Sequence, residues 1–320
     1  MRILSAADVV AALPMADCVE VMTAALAARA AGEVQQPLRK AFVPPSADGR
    51  LTVWMPAYRG GDQPLFGSKM LCLVPDNPSR GLDTHQGITA LFDGTTGEPL
   101  AVLDASAITA TRTAAVSALA TRILANENAA TLAIIGAGVQ AEAHLEAIPL
   151  VRAISSARVF SPRSAPALVE RMNVPFDLTV AASAEEAVRG ADIVVTVTSS
   201  SVPVIERDWI GPGTHINAVG ASTPNAREID GATVAAAELF TDARESITAE
   251  SGDYQQAVAD GHDTLRGELG DVLIGKLAGR SSSTATTLFR SLGIATEDMF
   301  AADYALRRAT ELGLGVDAPF

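Results

Sequence analysis

Apolar residues near the start of the chain recur at helical spacing. Cys18, Val21, Met22, Ala25 and Leu26 share one face, and Gly32 ends the run. From about Arg39 the pattern becomes extended. Apolar runs at 51–55, 68–74, 87–92 and 100–103 are separated by Gly60-Gly61, Asp76-Asn77-Pro78 and Asp93-Gly94, which predicts a mostly antiparallel sheet. Residues 108–124 are Ala-rich and predict a helix. After Thr131 strand and helix alternate. Strands are predicted at 132–135, 158–161, 178–181, 192–198 and 214–220, with a sixth at 238–242. Ser183 and Glu186 form a capping box for a helix ending near Gly190, and Gly211-Pro212-Gly213 leads into the fifth strand. Successive strands with short helical crossovers predict a parallel sheet with helices on both faces. The tail, 285–312, reads as largely helical and is expected to return onto the first domain.

The first strand of the alternating region runs straight into Gly136-Ala137-Gly138-Val139-Gln140-Ala141. A Gly-x-Gly-x-x-Ala turn between a strand and a helix is how a Rossmann domain grips a dinucleotide. Gly136 permits the tight turn, Gly138 lets the backbone approach a pyrophosphate, and Ala141 keeps helix and strand close. Val139 and Gln140 open the helix, whose N-terminus offers free N–H groups and a positive dipole end to phosphates. At the end of the second strand an acid would hydrogen-bond a ribose 2′-hydroxyl, whereas an Arg accommodates a 2′-phosphate. Here the residues are Ser161-Pro162-Arg163-Ser164. The turn therefore favours NADP(H), with NAD(H) the other candidate.

Composition narrows the classes. The chain has 320 residues, enough for two domains, and is 48% hydrophobic and 19% charged. No apolar run approaches the roughly 20 residues of a membrane helix, and no secretory signal is visible, so the expectation is a cytoplasmic protein with no membrane partner. A net charge of −13 without a basic cluster argues against nucleic acid as a partner. Cys18 and Cys72 make neither a disulfide nor a metal pattern, and no metal is expected.

Three cations in the first domain stand among apolar or small neighbours. They are Arg39, Lys69 in Gly67-Ser68-Lys69-Met70-Leu71-Cys72, and Arg112 in Thr109-Ala110-Thr111-Arg112-Thr113-Ala114-Ala115. A cation in such surroundings needs a partner. A substrate carboxylate would serve, and so would a structural Asp or Glu; spacing leaves both open. Thr84-His85-Gln86 is a polar break in which His85 is a candidate donor. Asn217 and Ser222 flank the end of the fifth strand, where parallel sheets present ligands.

Read together, these segments resemble the ornithine cyclodeaminase/mu-crystallin family. The resemblance is carried by Lys69, Pro75-Asp76-Asn77-Pro78, Thr84-His85-Gln86, the segment from Thr109 to Ala118, and the Gly136 turn. It continues through the segments from Gly213 to Ser222, Glu250 to Asp253, Gly267 to Gly270 and Thr287 to Gly293. It implies an α/β fold in which a Rossmann-type parallel-sheet domain, 113–294, is inserted into an α+β substrate-binding and dimerisation domain, 1–112 plus 295–320. It also implies a homodimer, and a carboxylate held by Arg39, Lys69 and Arg112, in place of the structural ion pair. The cofactor contacts it implies come from Thr84, His85, Arg112, Thr198, Val219 and Ser291, as well as from the two turns. Lys69, Arg112, His85 and Ser222 are then the catalytic candidates.

One position departs from the cyclodeaminases of the family, which carry an Asp two residues after the Gly matching Gly220. Here that residue is Ser222, in Gly220-Ala221-Ser222-Thr223-Pro224. A Ser cannot shuttle a proton near neutrality without an activating base. The form matches the ketimine-reducing members, so the expected reaction is NAD(P)H-dependent reduction of a cyclic imino acid. Cyclodeamination of ornithine, an alanine-type dehydrogenase and a binding role without chemistry are the alternatives.

Overall fold

The computed structural model describes residues 1–319, the Pro78 side chain apart. In chain order the first elements are β1 (Arg2–Leu4), α1 (Ala6–Ala12), α2 (Met15–Ala30), β2 (Val34–Gln35), β3 (Lys40–Phe42), β4 (Leu51–Arg59), β5 (Leu65–Leu73), β6 (His85–Asp93), β7 (Pro99–Asp104) and α3 (Ala105–Leu124). The alternating region supplies β8 (Thr131–Ile135), α4 (Val139–Ala147), β9 (Ser156–Phe160), α5 (Ala165–Arg171), β10 (Asp177–Val180), α6 (Ala184–Val188), β11 (Ile193–Thr196) and β12 (His215–Ala218). It continues with α7 (Gly231–Ala236), β13 (Glu238–Thr241), α8 (Arg244–Glu250), α9 (Gly252–Ala259), β14 (Leu265–Glu268), α10 (Leu269–Leu273) and β15 (Thr287–Arg290). The chain closes with α11 (Ala295–Leu312) and β16 (Val316–Asp317). Two compact units result: Met1–Arg112 with Ile294–Phe320, and Thr113–Gly293.

The first unit is built on a sheet of order β16-β1-β7-β6-β5-β4-β2, with β3 also paired to β4. The sheet is antiparallel except for the parallel pair β1–β7. Alternation along the long strands sends one set of side chains inward: Met55 and Ala57 on β4, Leu65 and Lys69 on β5, Thr89 and Leu91 on β6. Over that face lies α11, which starts on acidic Glu297 and Asp298 and ends at Gly313, whose φ of +67° suits only glycine well. Helix and sheet approach closely at Gly67, where a Cβ would lie 2.5 Å from Met299 Cγ.

The second unit is a fully parallel sheet of order β10-β9-β8-β11-β12-β15-β13-β14. Its central strands β11, β12 and β15 are buried at every position, as a sheet covered on both faces requires. The order reverses at β8, with β9 on one side and β11 on the other. That is the switch point at which open α/β sheets bind ligands.

One expectation needs correction, and one strand carried no signal. The tail is helical only from Ala295; Thr287–Arg290 is strand β15, inside the parallel sheet. Thr-Leu-Phe-Arg, buried at all four positions, is too short to show a period that separates it from helix. Strand β14 also went unread, because Leu265–Glu268 has a single apolar side chain. Among the described residues no single helix is long and apolar enough to cross a membrane.

Candidate active site

In the first unit, Lys69 and Arg112 are among the most enclosed charges, at 2% and 4% exposure. Lys69 sits on the inward face of β5, and Arg112 lies on α3. Asp298, on the first turn of α11, joins them. Its Oδ2 lies 2.7 Å from Lys69 Nζ, and its Oδ1 accepts from Arg112 Nε at 3.0 Å. Glu297 Oε2 accepts from Arg112 Nη1 at 2.8 Å, and Lys69 Nζ donates to Thr109 Oγ1 at 3.4 Å. The protein itself therefore supplies carboxylates to both cations. Glu297 and Asp298 were missed in the sequence, where two acids opening a helix signal only its N-terminus.

Burial and charge pull the Lys69 ammonium in opposite directions. Burial lowers its pKa most, the Asp298 charge pulls it back up, and the nearby Arg112 and Arg39 charges push it down, leaving it at about 8. Burial alone would raise the Asp298 pKa, but the Arg112 and Lys69 charges and hydrogen bonds outweigh it and hold the carboxyl below its usual range. His85 opens β6 and stays accessible to solvent. The protein around it and the Lys69 charge lower its pKa, so the imidazole is neutral near pH 7. Arg39, half-buried, completes the group by its charge on Lys69. Thr84, half-buried, precedes β6 in the same unit.

In the second unit the predicted dinucleotide residues gather at the carboxyl ends of the strands. Gly136 follows β8 with φ +121°, and a Cβ there would lie 2.7 Å from the Val197 carbonyl oxygen. Gly138 is the N-cap of α4 and has open space around it, with nothing within 4 Å of a would-be Cβ. Val139 is exposed at the helix mouth, Gln140 follows it, and Ala141 is buried. Ser161 and the exposed Arg163 follow β9, and Ser161 Oγ lies 3.1 Å from Ser164 Oγ. Thr198 follows β11, Val219 and Ser222 follow β12, and Ser291 follows β15. An open approach at Gly138, a helix N-terminus that begins there and an acid-free β9 end fit a dinucleotide.

Glu228, fully buried, ties two of these loops together. Its Oε1 accepts from Thr198 N at 2.6 Å and Thr198 Oγ1 at 2.8 Å, and its Oε2 accepts from Gly220 N at 2.7 Å and Ala221 N at 3.1 Å. Arg290 Nη1 stands 3.7 Å from the same carboxylate, and Arg290 Nη2 stands 3.3 Å from Asp253 Oδ2. Burial raises the Glu228 pKa, and the Arg290 charge and the Thr198 hydrogen bonds offset only part of that. Nothing in the sequence marked Glu228, because its partners are mostly backbone amides. Asn217 points inward instead of toward a ligand: its amide donates to Thr121 Oγ1 at 2.9 Å. Among the described residues no hydrogen bond reaches the Ser222 hydroxyl, and no three metal-binding side chains cluster.

Known proteins resemble the whole chain. The model of the ornithine cyclodeaminase/mu-crystallin family matches residues 1–312. The ketimine reductase mu-crystallin of Mus musculus is 39% identical over 271 residues, 85% of this chain and 84% of that protein. The structure of Thermococcus litoralis Δ1-pyrroline-2-carboxylate reductase in complex with NADH and L-proline is 34% identical, with a TM-score of 0.95 over 99% of this chain and 100% of that one. An archaeal alanine dehydrogenase dimer with bound NAD is 30% identical, with a TM-score of 0.92 over 100% of this chain and 99% of that one.

Proposed function

The chain belongs to the ornithine cyclodeaminase/mu-crystallin family, and from that premise we propose that it is an NAD(P)H-dependent reductase of cyclic ketimines. The substrates would be Δ1-pyrroline-2-carboxylate or Δ1-piperideine-2-carboxylate, and the products L-proline or L-pipecolate. The observation that carries this reading is the buried cation group of Lys69 and Arg112 in a chain so similar to a pyrroline-carboxylate reductase.

The reduced nicotinamide, when bound, supplies the hydride. Gly136, Gly138 and the N-terminus of α4 would hold its pyrophosphate. Ser161, Arg163 and Ser164 favour the 2′-phosphate of NADPH, because no carboxylate stands there to repel it. Arg39 and Arg112 would hold the substrate carboxylate; a guanidinium fork matches it. Lys69 then holds a proton at Nζ for the ring nitrogen, with a pKa of about 8 that suits release near neutrality. Ser222 has no activating base, which weighs against the proton shuttling that cyclodeamination demands. Its hydroxyl would hydrogen-bond the substrate.

We infer a homodimer from the outer face of the first unit's sheet. Trp54, Met70 and Ile88 lie side by side in register across β4, β5 and β6, at 43%, 51% and 45% exposure. An apolar row of this kind marks an interface.

Oxidation of NADPH and of NADH, followed with both imines at mildly acidic pH, tests the proposal. Turnover with either imine supports it; turnover with neither refutes it. The similarity to an archaeal alanine dehydrogenase favours one second reading, which NADH formation from L-alanine and NAD+ would reveal. Ammonia release from L-ornithine without net NAD reduction would instead establish cyclodeamination.

A further inference from the structure

Asp298 touches both Lys69 and Arg112 in the first unit's cation group. It is 1% exposed and held by the helix that crosses the sheet, so its two oxygens are fixed relative to both cations. Glu297 pairs with Nη1 of Arg112, and among the described residues Asp298 is the carboxylate in salt-bridge range of the Lys69 ammonium. The other charges acting on Lys69 are cationic: Arg112 from α3 and Arg39 from the segment before β3. The neighbouring polar groups are Thr109 of α3 and His85 of β6, and β4 and β6 place Met55 and Thr89 opposite Lys69 in register.

We propose that Asp298 is a positioning residue for imine reduction, locking Lys69 and Arg112 into one unit and keeping the Lys69 ammonium charged as the proton donor. This rests on the reductase reading. In the step itself, NAD(P)H when bound would supply hydride to C2 of the neutral ring imine, the nicotinamide C4–H bond breaking to leave NAD(P)+. The electron pair of the C=N bond moves to nitrogen, the Lys69 N–H bond breaks, and a new N–H bond forms on the ring. Neutral Lys69 then regains its proton from water. Without Asp298, Lys69 would face Arg112 and Arg39 with no opposing charge beside it and would lose its proton at lower pH. An opposite charge at this range is worth about one to three pH units.

The chain has three lysines, Lys40, Lys69 and Lys276, so [ε-13C]lysine labelling gives a spectrum of three signals, assigned with Lys40→Arg and Lys276→Arg. In the NADPH-bound protein the Lys69 signal should titrate near pH 8. In Asp298→Asn it should titrate about one to three units lower, and in Asp298→Glu near the wild-type value. Asp298→Ser is a second uncharged variant should the Asn protein not fold, with NADPH affinity as the check of folding. The alkaline limb of kcat/KM with the imine should move with the titration. A Lys69 titration unmoved by either uncharged variant overturns the proposal. So does a loss of kcat that is the same at every pH, which is what a purely structural Asp298 would give. A chain that turns over no imine overturns the reductase reading, while the lysine titration still decides what Asp298 does to Lys69.

Discussion

Lys69 shows how one buried charge constrains both stability and chemistry. A buried cation that loses its partner, or a carboxylate that loses its cation, is left uncompensated at a cost of about 3–5 kcal/mol. Lys69→Met should therefore destabilise the protein by about that amount, since it strands one oxygen of Asp298. Lys69→Met with Asp298→Asn should recover part of the loss, because the amide oxygen can still accept from Arg112 Nε, and denaturant unfolding of both variants would show it. If the double variant is no more stable than the single one, the Lys69–Asp298 contact contributes little. Arg163 gives a separate test of the cofactor. Losing a charge-assisted hydrogen bond, worth about 1.5–3 kcal/mol, should weaken NADPH binding by roughly ten- to a hundredfold in Arg163→Ala and leave NADH nearly unaffected. Equal losses for both cofactors would remove Arg163 from 2′-phosphate recognition. The sequence made Lys69 visible as a cation among apolar neighbours, and Arg163 by its place in an acid-free turn after the second strand. It left open what Lys69 pairs with, because Asp298 lies far along the chain and only the packing of α11 on β5 brings it near.

At the scale of elements, the β8–α4 turn separates folding from binding. Gly136 needs its left-handed backbone and has Val197 against it, so Gly136→Ala should destabilise the second unit. Gly138 has open space, so Gly138→Ala should fold normally and lose dinucleotide affinity, because the methyl would occupy the pyrophosphate's approach. Thermal melts and cofactor titration of the two variants distinguish these roles. Two fully buried histidines add a pH dependence to the same unit. Burial lowers His144 to about 4 and His215 to about 3, from 6.5. Each is therefore neutral when folded, and the unfolded chain binds more protons below about pH 6.5. Stability should fall as pH drops from there toward 4 and be unaffected by these groups above pH 7. A melting temperature constant from pH 7 to 5 would contradict this. The early strands of this unit were legible because each is followed by a helix of recognisable spacing. Strands β14 and β15 were not, because four residues each, Leu-Arg-Gly-Glu and Thr-Leu-Phe-Arg, are too short to carry a period. Glu228 was illegible for another reason: a carboxylate that serves backbone amides leaves no pattern of neighbouring side chains.

Over the whole molecule, two kinds of sheet carry two kinds of residue. The parallel sheet of the second unit collects Gly136, Ser161, Thr198, Val219 and Ser291 at its carboxyl edge, and the mixed sheet of the first unit encloses Lys69. The change of rhythm at Thr131 makes this division readable in the sequence. The return of the chain into the first unit was expected from the tail alone, and α11 now explains it by packing on α2 and the sheet. The exposed row of Trp54, Met70 and Ile88 makes the proposed dimer testable: if the chain dimerises through it, Met70→Glu with Ile88→Glu should yield a monomer by light scattering. A dimer that survives both substitutions would place the interface elsewhere. The central claim is that hydride passes from the nicotinamide to C2 of a cyclic imino acid. Reduction of Δ1-pyrroline-2-carboxylate with NADPH deuterated at the transferring C4 position, followed by mass spectrometry and NMR of the product, tests it most directly. The account predicts proline carrying one deuterium at C2. Consumption of NADPH without deuterium at C2, or no consumption with this imine or its six-membered homologue, would contradict it.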